Sequence, residues 1–298
     1  MNKPIKNLAA SIHQRLLNKS HKTGQPFNEL IQYYGIERLL YRLSISEYAD
    51  QFILKGALMF AVWGTANMRP TRDIDLLGYA PNALDHIQRL FEKVCGLKVL
   101  PDGLEFDKNI RVGRIKEDAD YEGVRVNVIA CLEKTQIPIQ IDIGFADVVT
   151  PAPENMMYPT LLDFPAPQIF GYPRETIIAE KFQAMIVLGI ANSRMKDFHD
   201  VCAMIEEFQY DGATMQRALQ RTFQNRKTEL PAEDHAIFSS EFAEAKTAQW
   251  SAFNRKIKRL NVSGMDQAIA KIQEFLFPIL SASREGKVFE KKWDKGWR

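Results

Sequence analysis

Hydrophobic residues recur every three to four positions over the first 50 residues. Ile5, Leu8, Ile12 and Leu16 form one stripe of IKNLAASIHQRLLNKS, and FNELIQYYGIERLLYRLSIS continues with similar spacing. This spacing matches the 3.6-residue turn of an α-helix. We therefore expect residues 1–50 to form N-terminal helices that pack on the domain that follows.

Strand-like and helical patterns alternate between residues 51 and 150. QFILKG and DIDLLGY predict strands, ALMFAVWG predicts a short helix, and PNALDHIQRLFEKVCG predicts a helix with Pro at its start and Gly at its end. Three more strand-like runs lie near 110–116, 123–132 and 137–145. Because turn-forming residues separate them, an antiparallel meander is the simplest interpretation.

Prolines mark the segment that follows. Residues 148–173 contain six of them, which favours neither a helix nor a strand, so residues 151–173 are interpreted as an ordered Pro-rich connector. Helical periodicity then returns in segments such as ETIIAEKFQAMIVLGI and MDQAIAKIQEFLFPIL. Residues 174–298 are therefore predicted to form a helical C-terminal domain.

The composition is that of a globular protein, with 46% hydrophobic and 26% charged residues among 298. A net charge of +2 argues neither for nor against a nucleic-acid partner. Cys95, Cys131 and Cys202 are far apart, as expected of reduced thiols in a cytoplasmic protein. The N-terminal sequence has no long apolar stretch and no uncharged apolar run approaches about 18 residues, so we expect neither a signal peptide nor a membrane span.

Two aspartates interrupt the strand predicted at DIDLL. Asp73 and Asp75 project to one face, while Ile74 and Leu76 project to the other. Two carboxylates on one face repel each other unless a cation lies between them, and Mg²⁺ commonly takes one or two carboxylates together with substrate phosphates. An ordinary strand end with solvated aspartates is the alternative.

A third carboxylate strengthens the metal hypothesis. In IPIQIDIGF the isoleucines alternate with Gln140 and Asp142, so Asp142 lies on the polar face of its strand. If this strand neighbours DIDLL, three carboxylates converge, as in two-metal phosphoryl transfer. Gly56, at the end of the first strand, would let the backbone approach a ligand, and amides at the following helix start could hold a triphosphate.

This order of elements resembles the polymerase-β-like nucleotidyltransferase fold. More closely, FILKGALMF…RPTRDIDLL, IQIDIGFADVVTP and ETIIAEKFQAMIVLGIANSRMKDFHDV resemble the AbiEii/AbiGii nucleotidyltransferase toxin family over roughly residues 10–205. The resemblance implies an α/β (α+β) mixed sheet with an N-terminal helical segment and a C-terminal α-helical domain. Members of that family are toxins of toxin–antitoxin and phage-defence systems, and some add nucleotides to tRNA 3′ ends.

The resemblance also assigns roles to residues. It makes Asp73 and Asp75 the metal-binding pair and Gly56 part of the phosphate-binding turn, and it points to Lys181 and to an aspartate of KDFHD. Many relatives carry a hydroxyl residue after the glycine, whereas this chain has Ala57. Backbone amides would then have to hold the phosphates without a hydroxyl.

Helical geometry refines the assignment in the C-terminal half. Lys181 falls at the edge of an apolar face, where it could hold a triphosphate or simply snorkel to solvent. In RMKDFHDVCAMI, Arg194 projects toward the apolar face and Asp197 lies at its edge, while Asp200 points away. Asp197 is therefore preferred over Asp200, with a purely structural Arg194–Asp197 pair as the alternative.

The candidate residues fall into three overlapping sets. The catalytic residues are Asp73, Asp75, Asp142, Lys181 and Asp197. The NTP-binding residues are Lys55, Gly56, Ala57, Thr71, Arg72 and Arg194, although Arg69, Thr71 and Arg72 of RPTR could equally belong to a solvated loop. The metal ligands are Asp73, Asp75 and Asp142, for Mg²⁺ or Mn²⁺.

Basic residues near aromatic ones in the C-terminal half are compatible with RNA contact. They are Arg217, Arg221, Arg226, Lys227, Arg255, Lys256, Lys258 and Arg259, and in the tail Lys291, Lys292, Lys295 and Arg298 beside Phe289, Trp293 and Trp297. Charge runs on helices are usually solvated faces, so this feature alone decides nothing.

The resemblance, together with the aspartates, implies a Mg²⁺-dependent cytoplasmic toxin that transfers NMP from an NTP to an RNA acceptor such as a tRNA 3′ end. An antitoxin protein is an expected partner. Two alternatives stay open: a nucleotidyltransferase acting on a small molecule or protein, and a non-catalytic binding protein with the same fold. Ala57 favours the non-catalytic alternative, and the intact Asp73, Asp75 and Asp142 argue against it.

Overall fold

The computed structural model describes residues 7–65, 70–118, 121–257 and 264–298. Its helices are α1 (Leu8–Thr23), α2 (Phe27–Ser44), α3 (Met59–Val62), α4 (Leu84–Cys95), α5 (Arg174–Leu188), α6 (Met195–Glu207), α7 (Gly212–Asn225), α8 (Ser240–Ile257) and α9 (Met265–Arg284). Its strands are β1 (Phe52–Lys55), β2 (Asp73–Gly78), β3 (Leu104–Phe106), β4 (Arg111–Asp118), β5 (Tyr121–Leu132), β6 (Thr135–Gly144), β7 (Glu154–Met157), β8 (Gln168–Gly171), β9 (Tyr210–Asp211) and β10 (Lys292–Trp293).

The N-terminal helices follow the predicted stripe. Ile12 and Leu16 are fully buried, which confirms the apolar face of α1; Ile5 lies outside the described residues. The Asn7 side chain accepts a hydrogen bond from the Ala10 amide, and Gly24 ends the helix in the left-handed conformation. Both ends of α1 are therefore encoded by local residues.

The sheet is mixed, and its strand order is β3-β5-β6-β2-β1-β8-β7, with β4 paired to β5. Strands β4, β5 and β6 form the predicted antiparallel meander. Strand β2 pairs antiparallel with β1 and parallel with β6, so the aspartate-bearing strands are neighbours. The expectation that β2 and β6 are neighbouring strands is therefore confirmed.

The structure corrects the prediction of a Pro-rich connector over residues 151–173, because this segment contains strands β7 and β8. Strand β8 pairs parallel with β1, and β7 pairs antiparallel with β8 at the end of the sheet. None of the six prolines lies inside either four-residue strand, so none removes an N–H group from the ladder. The prolines lie on either side of two short strands, and four residues are too few for the alternating pattern of a strand to be recognised.

The chain divides into two compact units. The sheet unit comprises Met1–Gly64, Pro70–Ala146 and Glu154–Gly171, and the helical unit comprises Thr65–Arg69, Asp147–Pro153 and Tyr172–Arg298. The core of the helical unit includes the fully buried Phe182, Phe198 and Phe275. Within the described ranges, no helix is both long and apolar enough to cross a membrane.

Candidate active site

Gly56 forms a turn that no other residue could form without a shift. Its φ angle is +73°, in the left-handed region, and it follows directly after β1. A Cβ atom at this position would lie 2.0 Å from the Asp75 Oδ2 atom and 2.8 Å from the Asp75 Cγ atom. The glycine thus leaves the space that the Asp75 carboxylate fills.

The two predicted aspartates lie on one face of β2. Asp73 is exposed and Asp75 is half-buried, while Ile74 and Leu76 between and after them are buried in the core. The register pairs Asp75 with Lys55 of β1 on one side and with Asp142 of β6 on the other. Directly paired residues project to the same side of a sheet. The predicted grouping of Asp73, Asp75 and Asp142 on one face is therefore confirmed.

The Asp142 carboxylate already has partners within the sheet. The Arg125 Nε and Nη2 atoms lie 2.7 Å and 2.8 Å from its Oδ1 and Oδ2 atoms, and the Gln140 Nε2 atom lies 3.2 Å from Oδ2. The hydrogen bonds that Arg125 donates to Asp142 raise the pKa of Arg125 above its usual range, and the negative charges of Asp142, Asp73 and Asp75 raise it further. A guanidinium therefore lies within this acidic face.

Sequence reasoning missed Arg125, although the signal was present. In GVRVNV the valines at 124, 126 and 128 are buried, so Arg125 and Asn127 occupy the opposite face of β5. The register then pairs Arg125 directly with Asp142. Applying the alternation rule to β5 would have placed Arg125 on the polar face of its strand, as it placed Asp142 on β6, and only the register shows that the two residues pair.

The other predicted NTP-binding residues of the sheet unit lie at the end of β1 or just before the start of β2. Lys55 is 8% exposed and Ala57 is buried. The Thr71 amide donates to the Tyr33 hydroxyl, and Arg72 is exposed. Arg69 lies outside the described residues.

The protein side chains alone do not build a metal site of three or more ligands. Across the residues that the structure describes, no group of three or more His, Cys, Asp or Glu side chains could hold a metal ion. Asp73 and Asp75 remain as two carboxylates on one strand. Two carboxylates are the usual protein contribution to Mg²⁺ that is bound together with substrate phosphates.

In the helical unit, Lys181 is shared between two buried carboxylates. Its Nζ atom lies 2.7 Å from the Asp197 Oδ1 atom and 2.9 Å from the Asp200 Oδ2 atom, and both aspartate side chains are 1% exposed. The Arg194 Nε atom lies 2.6 Å from the other Asp197 oxygen. His199 Nδ1 lies 3.3 Å from the Asp200 Oδ1 atom.

The prediction that Asp200 points away is wrong. Helix α6 is buried at every residue from Met195 to Ile205 except Lys196, so it has no clear exposed face from which to rank its aspartates. Packing on several sides explains why a helical wheel misplaced Asp200. The predicted Arg194–Asp197 pair is present.

Several of the predicted RNA-contacting residues are engaged inside the helical unit. Arg226 is largely buried, with its Nη2 atom 2.7 Å from the Asp147 Oδ1 atom. Trp293 is 3% exposed and donates to the Ile205 carbonyl, and Trp297 donates to the Phe275 carbonyl. These three side chains are structural; Lys258 and Arg259 lie outside the described residues.

Arg217, Arg221, Lys227, Arg255 and Lys256 are exposed, as are the four basic residues of the tail. These nine basic residues of the helical unit are therefore accessible to a ligand in solvent.

The mixed sheet with a glycine turn and two aspartates on the adjacent strand is a nucleotidyltransferase-type fold. The chain belongs to the nucleotidyl transferase AbiEii toxin family of type IV toxin–antitoxin systems, whose family model matches residues 38–275. The protein is therefore a nucleotidyltransferase, and its family associates it with an NTP substrate and an antitoxin. The sequence-based resemblance to this family is confirmed.

Two solved structures of Helicobacter pylori proteins match this chain. JHP933 is 11% identical, with a TM-score of 0.47 over 87% of this chain and 94% of that chain. A protein described as a candidate nucleotidyltransferase is 12% identical, with a TM-score of 0.47 over 96% of this chain and 100% of that chain. No curated protein sequence matches this chain.

Proposed function

We propose that this protein transfers the NMP group of an NTP to an RNA acceptor, with the 3′ end of tRNA as the acceptor of first choice. The observation that carries the proposal is the fit of the Asp75 carboxylate into the space at Gly56, beside Asp73. This arrangement lies between β1 and β2, where a bound triphosphate would be close to both the backbone turn and the two carboxylates.

A divalent cation suits this donor set. Asp73 and Asp75 supply hard oxygen ligands, which Mg²⁺ and Mn²⁺ prefer, and they leave room for phosphate oxygens as further ligands. When bound, the ion would neutralise negative charge on the triphosphate and on the departing pyrophosphate. Asp73 and Asp75 would hold that ion, and Gly56 would let the backbone approach the phosphates.

The reaction is an in-line displacement. The acceptor hydroxyl oxygen forms a bond to the α-phosphorus of the NTP, the bond to the bridging oxygen breaks, and pyrophosphate leaves. The hydroxyl proton passes to solvent water; Asp142 was predicted either as a base for that proton or as a third metal ligand. Its contacts with Arg125 favour a different role, which is argued below.

The roles predicted for residues of the helical unit stay part of the proposal. Lys181, Asp197 and Arg194 are predicted to serve nucleotide binding or catalysis. Their mutual ion pairs support a structural role as well. The exposed arginines and lysines of the same unit support an RNA acceptor, because phosphate contacts need accessible cations.

The test is incubation of the purified protein with Mg²⁺, total bacterial tRNA and each labelled NTP in turn. We expect label to enter RNA from one NTP and the Asp73→Asn variant to lose transfer at least 100-fold. Because Asp73 is exposed, its thermal unfolding should be unchanged. Asp85→Asn, at an exposed aspartate of α4, is the matched control and should transfer normally.

Each other outcome has a definite meaning. Transfer retained by Asp73→Asn would reject the metal-site assignment. NTP binding without transfer to any RNA would indicate a small-molecule or protein acceptor. A lack of both Mg²⁺-dependent NTP binding and transfer would favour the non-catalytic alternative.

A further inference from the structure

The contact between Arg125 and Asp142 is built into the sheet. The two residues are direct cross-strand partners in the β5–β6 register, and both Asp142 oxygens accept from the guanidinium at 2.7 Å and 2.8 Å. Gln140, two residues earlier on the same strand, adds a third donor. A two-pronged Arg–carboxylate contact is among the strongest and most directional polar contacts in proteins.

This contact disfavours Asp142 as a metal ligand. A divalent cation on the same carboxylate would stand beside the guanidinium, and like charges at such short range repel strongly in a partly buried site. The Asp142 side chain is only 15% exposed, so water would screen that repulsion poorly. Asp73 and Asp75, by contrast, lie on β2, which pairs with β1 and β6 and not with the arginine-bearing β5.

Arg125 itself can reach a ligand. Its side chain is 40% exposed, and a guanidinium has five N–H donors, of which the contact with Asp142 uses two. In the strand register Arg125 pairs with Asp142, and Asp142 pairs with Asp75, so Arg125 lies on the same face as the carboxylates that would hold the metal-bound nucleotide. A phosphate oxygen is the ligand that this planar group matches best.

We propose that Arg125 binds a phosphate oxygen, and that Asp142 is a positioning residue that orients Arg125 instead of a third metal ligand. The proposal rests on the proposed function, because the phosphate belongs either to the NTP or to the backbone of the RNA acceptor. Only Asp73 and Asp75 would then hold the divalent cation.

The first experiment measures Mn²⁺ binding without nucleotide, by the electron paramagnetic resonance signal of free Mn²⁺. We expect Asp142→Asn and Arg125→Met to keep the wild-type stoichiometry and an affinity within about twofold. Asp73→Asn should lose at least tenfold in affinity. A tenfold loss in Asp142→Asn, in a variant whose thermal unfolding is intact, would overturn the inference.

Failure of the proposed function would look different. In that case Asp73→Asn would bind Mn²⁺ as the wild type does. Should Asp142→Asn fold poorly, Arg125→Met decides alone. A metal-binding Asp142 released from its arginine should bind Mn²⁺ more tightly or add a second site, and either result would contradict us.

The second experiment measures equilibrium binding of the NTP and of tRNA separately. We expect Arg125→Met and Asp142→Asn each to weaken one of these ligands at least fivefold, and the double variant to be no worse than Arg125→Met. Weaker NTP binding would assign the phosphate to the nucleotide, and weaker tRNA binding would assign it to the acceptor. Unchanged binding of both ligands, or additive losses in the double variant, would overturn the inference.

Discussion

At the scale of single residues, Gly56 connects the backbone turn to the carboxylate pair. We expect Gly56→Ala to cost about 1–2 kcal/mol for its left-handed backbone and, in addition, to displace Asp75, whose oxygen lies 2.0 Å from the new Cβ position. Mn²⁺ binding and nucleotide transfer should fall at least tenfold.

Gly24→Ala is the matched control for Gly56→Ala. Gly24 has a φ angle of +72°, but nothing lies within 4 Å of its added Cβ. It should show a similar loss of stability in thermal unfolding with normal Mn²⁺ binding and transfer. Equal loss of activity in both variants would mean that the backbone strain alone, and not the Asp75 position, is responsible.

Glu37 of α2 provides a test by pH. Burial raises its pKa to about 7, although the amide of Leu161 and the charge of Arg38 oppose the shift. Between the unfolded value of about 4.5 and about 7, the folded state binds the proton more tightly, so this group's contribution to stability is complete below about pH 4.5 and is lost as the pH rises to about 7.

We therefore expect Glu37→Gln to gain stability relative to the wild type between pH 5 and pH 8. The gain is at most about 3.5 kcal/mol, since each unit between the two pKa values is worth about 1.4 kcal/mol. Thermal unfolding across this range measures it. Glu233→Gln, at an exposed glutamate of the helical unit, should show no such trend. A parallel pH dependence in Glu37→Gln and wild type would show that Glu37 is ionised throughout.

The carboxylates were predictable because strand alternation depends only on local sequence. Asp73, Asp75 and Asp142 all lie where the two-residue period places them. The Arg125 contact was not predicted, because it depends on the register between β5 and β6, which a pattern within one strand does not specify. The space at Gly56 likewise depends on how closely β1 approaches β2.

At the scale of elements, helices α5 and α6 are joined by the ion pairs of Lys181. We expect Lys181→Met to cost about 3–5 kcal/mol, because it removes the shared partner of two aspartates that are 1% exposed. Lys93→Met removes an exposed pair with Glu47 and should have a far smaller effect, because water screens that pair. Urea unfolding of the two variants measures the difference.

The same variant also distinguishes structure from ligand binding. Adding Asp200→Asn to Lys181→Met should recover part of the lost stability, because one buried charge is then removed. A stable Lys181→Met protein with impaired NTP binding would contradict this account. Lys181 would then act mainly on phosphates, as the family resemblance implies.

Elements with a clear period were predicted well, and those without one were not. The stripe of α1 is visible in its sequence, whereas β7 and β8 have four residues each and lie among prolines. For helix α6 the prediction of side-chain directions failed for a different reason: the helix is buried on most sides, so its sequence does not separate an apolar face from a solvent-exposed one. The strands β7 and β8 and the burial of α6 both depend on tertiary contacts, which the sequence of a single segment does not specify.

At the scale of the whole molecule, a net charge of +2 conceals an uneven distribution of accessible cations. Arg226 and the two tail tryptophans serve the interior of the helical unit, while Arg217 and Arg221 are exposed at positions four apart on α7. Residues four apart on a helix lie on one face, so both arginines can meet one RNA backbone.

We expect the double variant Arg217→Gln/Arg221→Gln to bind tRNA several-fold more weakly without any change in NTP binding. Because each lost phosphate contact removes about 0.7–0.9 from the slope of log K against log salt, the slope should become shallower by about 1.5. Lys98→Gln/Lys108→Gln changes the net charge equally at exposed positions of the sheet unit and is the control. An equal effect of both double variants would mean that tRNA affinity depends on the net charge of the protein and not on this face of α7. No effect of either would place the acceptor elsewhere on the protein.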